Sequence, residues 1–256
     1  MKIIQLNAWL GRLSGPLARF IAEEQPDIIC LQEVFQNKYP DKHLVLSDQF
    51  GFYEELKQAS GLKYDFFAPN WGFKLAGTVL DEGNAIISRF PISQEVAEHT
   101  HGEYYTLDEN TAYRKNTRVY QTCQLELPDG NKLSLLNYQG YLDGPHDTGT
   151  EMTVQTMRKI YDAAEKLPSP KMLAGDFNAW PESPPIKLMN DLGLENLTVS
   201  HKLSRTLSEA HRAPESDRAR AVCDYIFTTP EIKVKSFKAS EKIVSDHLAL
   251  ILEFDI

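Results

Sequence analysis

The sequence predicts a domain of mixed α and β structure, α/β or α+β, and three observations carry that prediction. A strand, helix, strand unit opens the chain between Lys2 and Leu31. A hairpin signature spans Arg118 to Leu136. Apolar runs of strand length recur down the chain, and several give way abruptly to Asp, Asn, Glu or His. The 256 residues are 42% hydrophobic, enough for one large core, and no Pro/Gly/Ser-rich linker or shift of composition divides them, so one domain over residues 1–256 is expected.

Lys2 to Leu6 is a short apolar run that ends at Asn7, ahead of a loop from Gly11 to Gly15. From Pro16 to Gln25 the apolar residues Leu17, Phe20 and Ile21 fall at helical spacing, and Pro26-Asp27 stops the helix. Ile28-Ile29-Cys30-Leu31 is unbroken, as in a strand buried on both faces, and Glu33 follows it closely. Tyr39 to Gly61 reads as partly helical, and Tyr64 to Phe67 as a strand. Glu82 to Ile92 is a strand opened by Gly83 and closed by Pro91, with Glu95 to Thr100 continuing into a paired strand. His101 to Lys115 has no period and reads as a long loop over the site. Arg118 to Leu127 alternates, Pro128-Asp129-Gly130-Asn131 turns, and Lys132 to Leu136 returns, ending in Asn137-Tyr138-Gln139-Gly140. Val154, Met157, Ile160, Tyr161 and Ala164 mark an amphipathic helix that leads to the strand ending in Ala174-Gly175-Asp176-Phe177-Asn178. A short helix covers Ile186 to Leu192; strands follow at Ala221 to Phe227, carrying Asp224, and at Lys233 to Ala239. Ser245-Asp246-His247 then leads into a last buried strand through Leu252.

Net charge is −9, which argues against a protein that grips long nucleic acid through bulk electrostatics, but leaves room for a phosphorylated substrate held through a cation. Cys30, Cys123 and Cys223 lie singly in apolar runs and read as buried reduced thiols, not a zinc or disulfide framework. The first residues turn polar too soon for a signal peptide, and no apolar run has membrane-spanning length, so a cytoplasmic location is expected.

Each strand end taken singly has an ordinary reading. Asp176 and Asn178 fit an Asx turn capping the next helix, Glu33 a salt bridge, and His247 a capped core histidine. Taken together, Asn7, Glu33, Asp176, Asn178, Asp224, Asp246 and His247 offer oxygen ligands for a hard cation, one titratable imidazole and carboxamides suited to phosphate oxygens. Such a set suits Mg2+ or Mn2+ better than zinc, and metal-assisted hydrolysis of a phosphoester uses every member. Trp9, Trp71, Tyr104, Tyr105, Tyr141 and Trp180 lie near strand ends or loops, either to stack on a base or to anchor loops on the core.

The motifs Leu6-Asn7-Ala8-Trp9, Leu31-Gln32-Glu33-Val34, Gly175-Asp176-Phe177-Asn178, Asp224-Tyr225-Ile226 and Ser245-Asp246-His247 resemble, in order and over the whole chain, those of the endonuclease/exonuclease/phosphatase superfamily. The resemblance implies a four-layer sandwich, two mixed β-sheets face to face with helices outside, and a site at one edge. It implies that Glu33, Asn7 and Asp246 hold the metal, and that Asp176 orients or deprotonates water. Asn178 would hold a phosphate oxygen, and His247, oriented by Asp224, would stabilise charge in the transition state. Arg118 is a further candidate for phosphate, although an arginine opening a strand is often simply solvated.

The expected activity is that of a Mg-dependent phosphodiesterase or nuclease acting on nucleic acid, a nucleotide or a lipid head group. A phosphomonoesterase and a weakly catalytic binder of phosphorylated ligands remain as alternatives. The chain departs from the family pattern at Asn137-Tyr138-Gln139, where Asn-x-His is common. A glutamine can donate to phosphate but cannot titrate, so lower turnover, or restriction to good leaving groups, is expected.

Overall fold

A computed structural model describes residues 1–37, 48–75, 78–108, 116–144, 148–219 and 221–256. In chain order the elements are β1 (Lys2–Asn7), α1 (Ser14–Glu24), β2 (Ile28–Asn37), α2 (Asp48–Ser60), β3 (Tyr64–Leu75), β4 (Thr78–Ser88), β5 (Ile92–His101), β6 (Thr106–Leu107), β7 (Arg118–Glu126) and β8 (Lys132–Gln139). They continue with α3 (Glu151–Lys166), β9 (Lys171–Asp176), α4 (Pro184–Asn190), β10 (Glu195–Asn196), α5 (Leu197–Ser200), α6 (Glu215–Arg218), β11 (Asp224–Thr228), β12 (Lys233–Ala239) and β13 (Leu250–Asp255). Among the described residues, one sheet runs β12-β13-β1-β2-β4-β3-β6 and the other β10-β11-β9-β8-β7-β5. Both are mixed: β1 pairs in parallel with β2 and β8 with β9, while most other neighbours are antiparallel.

Side-chain alternation sorts the apolar residues into three layers of core. Ile3, Ile28 and Cys30 of one sheet meet Leu133, Leu135, Met172, Ala174 and Ile226 of the other between the two sheets. The alternate residues Ile4, Leu6, Ile29 and Leu31 turn outward onto α1 and α2 through Leu17, Phe20, Phe52 and Leu56. On the far side Leu136, Leu173, Tyr225 and Phe227 meet Met157 and Ile160 of α3 and Ile186 and Met189 of α4. Strands buried on both faces explain the unbroken apolar runs, and the result is a helix, sheet, sheet, helix sandwich.

Several boundaries differ from the sequence reading. Glu95 to Thr100 pairs as expected; its partner is β7 of the other sheet, so the chain crosses between sheets after Ser88. β4 already ends at Ser88, and Pro91, which has no N–H for a ladder, stands in the crossing just before β5. β11 begins only at Asp224; just before it, Ala221 and Cys223 form a separate small cluster with Leu207 while Val222 packs into the layer under α3 and α4. β13 begins at Leu250, and His247 is held instead by an isolated bridge to Leu207. The loop expected over His101 to Lys115 contains β6, and its residues 109–115 lie outside the described residues, as do 38–47 of the expected helical segment.

Candidate active site

The rows of side chains that line the space between the sheets change from apolar to polar at one end. On β1 the inward row reads Ile3, Gln5, Asn7; on β8 it reads Leu133, Leu135, Asn137, Gln139; on β9 it reads Met172, Ala174, Asp176. β11 runs the opposite way, so its first residue Asp224 lies in register with Asp176, which on its other side is in register with Gln139. The strands approach closely here. A Cβ on Gly175 would lie 2.1 Å from the Tyr138 carbonyl oxygen, and one on Gly140 would lie 2.1 Å from that of Phe177.

Glu33 reaches this row by a different route. Alternation from Leu31 would point it outward, but a bulge between Leu31 and Val34 interrupts the pairing with β4, and Glu33 takes a left-handed backbone with φ 53°. Its carboxylate Oε1 then accepts a hydrogen bond from Gln139 Nε2 at 2.7 Å. Asn178, with φ 51°, is a second left-handed residue at the site, in a conformation that asparagine tolerates better than glutamate does.

Most of the expected residues are joined by direct contacts. Asp176 accepts from Asn7 Nδ2 at 3.1 Å and from the backbone N–H of Asn178 at 3.0 Å. Asn178 Nδ2 donates to the Gly140 carbonyl at 3.1 Å, and Arg118 Nε donates to the same oxygen at 3.0 Å. Arg118 is therefore not a solvated strand-opening residue: its other nitrogens bond Thr117 O and Asn116 Oδ1. His247 Nδ1 lies 2.9 Å from Asp224 Oδ2, and both residues are buried. An ionised carboxylate there can only accept, so Nδ1 carries the proton and Nε2 is the ring atom left for a substrate. Asp246, next in chain to His247, bonds Ser245 Oγ at 3.2 Å, and that hydroxyl also donates to Asn7 O at 2.6 Å.

Burial and mutual repulsion set the charges. Burial raises Asp176 to about 7, with His247 opposing and Asp224 adding to the shift. Asp246 rises to about 6 through burial and the charge of Glu33, against the pull of His247. Burial opposes a charge on His247, yet the carboxylates of Asp224 and Asp176 outweigh it and hold the imidazole well above its ordinary pKa. Sequence reasoning missed Glu82, which is buried on the inward row of β4 and raised to about 7 by burial and by Glu33, with Arg118 opposing. Asn70 Nδ2 and the Trp71 indole both donate to it. The signal was present in the sequence: Glu82, Asn84 and Ile86 share one parity on a strand.

A buried carboxamide chain behind the site was missed as well. Gln5 Nε2 donates to Asp224 Oδ1 at 3.2 Å and to Gln32 Oε1 at 2.9 Å; Gln32 Nε2 donates to Asn137 Oδ1 at 2.7 Å; Asn137 Nδ2 donates to Gln121 Oε1 at 2.9 Å. It links both sheets at the boundary between the dry core and the polar edge. The aromatic residues anchor loops: Trp71 stacks on Tyr105 at 6.3 Å, Tyr141 meets His101 edge-on, and Arg12 lies 5.2 Å over Trp9.

The donor set fits a hard divalent cation. The charge of Glu33 bears on both Glu82 and Asp246, that of Asp224 on Asp176 and Asp246, and among the described residues Arg118 opposes it at Glu82 and His247 at Asp176 and Asp246. Gln139 Oε1 is a buried oxygen without a hydrogen-bond partner among the described residues. The ligand atoms of Asp176, Cys223, Asp224 and His247 also lie within 4.8 Å of one another. In that second group, however, the imidazole and carboxylate already bond each other, and burial holds the Cys223 thiol well above its ordinary pKa, so a proton occupies the sulfur.

Residues 4–247 match the model of the endonuclease/exonuclease/phosphatase family. Among solved structures, an endonuclease/exonuclease/phosphatase family protein from Leptotrichia buccalis C-1013-b superposes with a TM-score of 0.70 at 23% identity, covering 100% of both chains. The human nocturnin catalytic domain gives 0.66 at 18%, covering 100% of this chain and 94% of that one. An AP endonuclease from Archaeoglobus fulgidus gives 0.64 at 17%, with 100% of each covered. No curated protein matches. Among the described residues no helix is long and apolar enough to cross a membrane.

Proposed function

The chain belongs to the endonuclease/exonuclease/phosphatase family, and on that footing we propose that it is a divalent-cation-dependent phosphodiesterase acting by in-line attack of water. Members of this family are generally hydrolytic phosphoesterases and typically use divalent metals. Glu33, Asp246 and Asn7 would hold Mg2+ or Mn2+. When bound, the cation supplies neutralising charge to the phosphoryl oxygens and the leaving oxygen.

The remaining work falls to this chain's side chains. Asp176, poised near neutral pH and pinned by Asn7 and the Asn178 N–H, orients the attacking water and takes its proton. Asn178, whose Nδ2 donates to the Gly140 carbonyl beside Asp176, would present its carboxamide to a non-bridging oxygen in this scheme. His247, held as imidazolium by Asp224, donates from Nε2 to a phosphoryl oxygen on which negative charge develops. Arg118 holds the Gly140 and Asn178 turn in place and adds positive charge. A singly charged diester suits this edge better than a doubly charged monoester, because Glu33 and its carboxylate neighbours Glu82 and Asp246 disfavour added negative charge there.

The observation that carries the reading is the buried His247–Asp224 pair at 2.9 Å on the strand edge that also presents Asp176. A scaffold has no use for a charged imidazole in a core. The test is hydrolysis of bis(p-nitrophenyl) phosphate beside p-nitrophenyl phosphate, with and without Mg2+, in the wild type, Glu33→Ala and His247→Ala. Diester hydrolysis that needs Mg2+ and disappears in both variants is the expected result. Hydrolysis indifferent to either substitution would sink the assignment, and preference for the monoester would replace diesterase with phosphatase.

A further inference from the structure

Gln139 is 1% exposed, and its two polar atoms have different surroundings. Nε2 donates to Glu33 Oε1 at 2.7 Å, whereas Oε1 is shut off from solvent and has no hydrogen-bond partner among the described residues. Glu33 itself decides which atom is which. Turned over, the amide would set its oxygen against a carboxylate oxygen, two acceptors with no hydrogen between them. An orphaned buried carbonyl is costly to keep. It stands at the end of β8, in register with Asp176 and touching the bulged, left-handed Glu33, where uncompensated carboxylates already gather.

We propose that Gln139 Oε1 is itself a ligand of the divalent cation held at Glu33, while Nε2 keeps that carboxylate oriented. The inference rests on the metal reading given above. A carboxamide oxygen is an ordinary ligand of hard cations, needs no deprotonation, and satisfies its lone pair on binding. The amide does two tasks at once: its nitrogen fixes a neighbouring ligand, and its oxygen becomes one. It also keeps the donor set entirely oxygen, which favours Mg2+ and Mn2+ over softer ions, whereas an imidazole at this position would pull the preference the other way. The substitution of glutamine for a titratable group at position 139 then has a consequence for metal selection and not only for proton transfer.

The test uses the full chain and the metal alone. Mg2+ and Mn2+ affinities are measured calorimetrically for the wild type, Gln139→His and Glu33→Ala, together with pulsed EPR of bound Mn2+. If residue 139 ligates the ion, Gln139→His introduces a nitrogen modulation absent from the wild-type spectrum and raises the preference for Mn2+ over Mg2+ by about tenfold. In the unsubstituted protein, the side-chain carbonyl carbon resonance of Gln139 moves with the Mg2+ titration, a reading that survives even if the histidine variant fails to fold. Metal binding abolished by Glu33→Ala, but with no nitrogen signal, an unchanged ion preference and a still carbonyl resonance, overturns the inference alone. The oxygen would then belong to a trapped water or a substrate hydroxyl. Absence of any divalent binding overturns both this inference and the cation-dependent reading.

Discussion

Replacing Glu82 by glutamine should stabilise the metal-free protein at alkaline pH and leave it nearly unchanged at acidic pH. Glu82 is 3% exposed, and burial together with the charge of Glu33 raises it from an ordinary 4.5 to about 7. Between those two values the folded chain keeps a proton that the unfolded chain has released, so stability falls as pH rises through that window. The full excursion corresponds to about 3 kcal/mol at 1.36 kcal/mol per pH unit, taken as an upper figure. Glutamine keeps an oxygen for Asn70 Nδ2 and the Trp71 indole and never ionises, so it removes the pH-dependent part and little else. The assay is urea unfolding in EDTA at pH 5 and pH 8. The expected gain for Glu82→Gln over wild type is roughly 2–3 kcal/mol at pH 8 and under about 1 kcal/mol at pH 5. Saturating Mg2+ at pH 8 should narrow the gap, because a cation at Glu33 relieves the same repulsion. A difference between the two proteins that is the same at both pH values would refute the reasoning, since it would place the effect in packing.

Asp224→Asn removes the charge that holds His247 as imidazolium while preserving shape, so kcat on a diester should fall by about 10²–10⁴-fold with little change in thermal midpoint. Wild-type protein in EDTA should itself lose stability from about pH 4 to pH 8, because Asp176, Asp246 and Glu82 are raised acids and His247 is a raised base; each binds more protons folded than unfolded in that range. Stability rising through the same range, read by denaturant midpoint, would contradict these shifts. Gly175→Ala should cost about 3 kcal/mol or more, since its Cβ would meet the Tyr138 carbonyl at 2.1 Å and β8 and β9 must part at the site end; thermal unfolding reads it. Asn137→Ala strands Gln32, Gln121 and the Leu31 and Ala85 carbonyls, and should cost about 2–4 kcal/mol in urea unfolding.

What could be read from the sequence follows from one geometric rule. A strand buried on both faces gives an unbroken apolar run, and the residue that ends the run is conspicuous; Asn7, Asp176 and Asn178 stand out for that reason. Glu33 was visible as a residue, but its placement was not, because the bulge that turns it inward lies in its backbone and in the pairing with β4. Glu82, Gln5 and Gln32 were passed over since each sits inside a strand, and a polar residue there looks like an exposed face. Parity tells them apart. Gln5 falls in step with Ile3, Gln32 with Ile28 and Cys30, and Glu82 with Ile86, all of which line the space between the sheets. A polar residue on the row that elsewhere forms the driest part of the core cannot be a solvated face, and must meet a partner across the sandwich. Pairing across the sandwich is what no single strand reveals: Gln5 finds Asp224 from a separation of 219 residues, and Gln139 finds Glu33 from 106. The same opposition hides which sheet a strand joins: Glu95 to Thr100 reads as a paired strand and is one, but its partner β7 in the opposite sheet is not recorded in its own pattern. The sandwich is therefore specified by alternation, and its site by the places where the inward row stops being apolar on both sides at once.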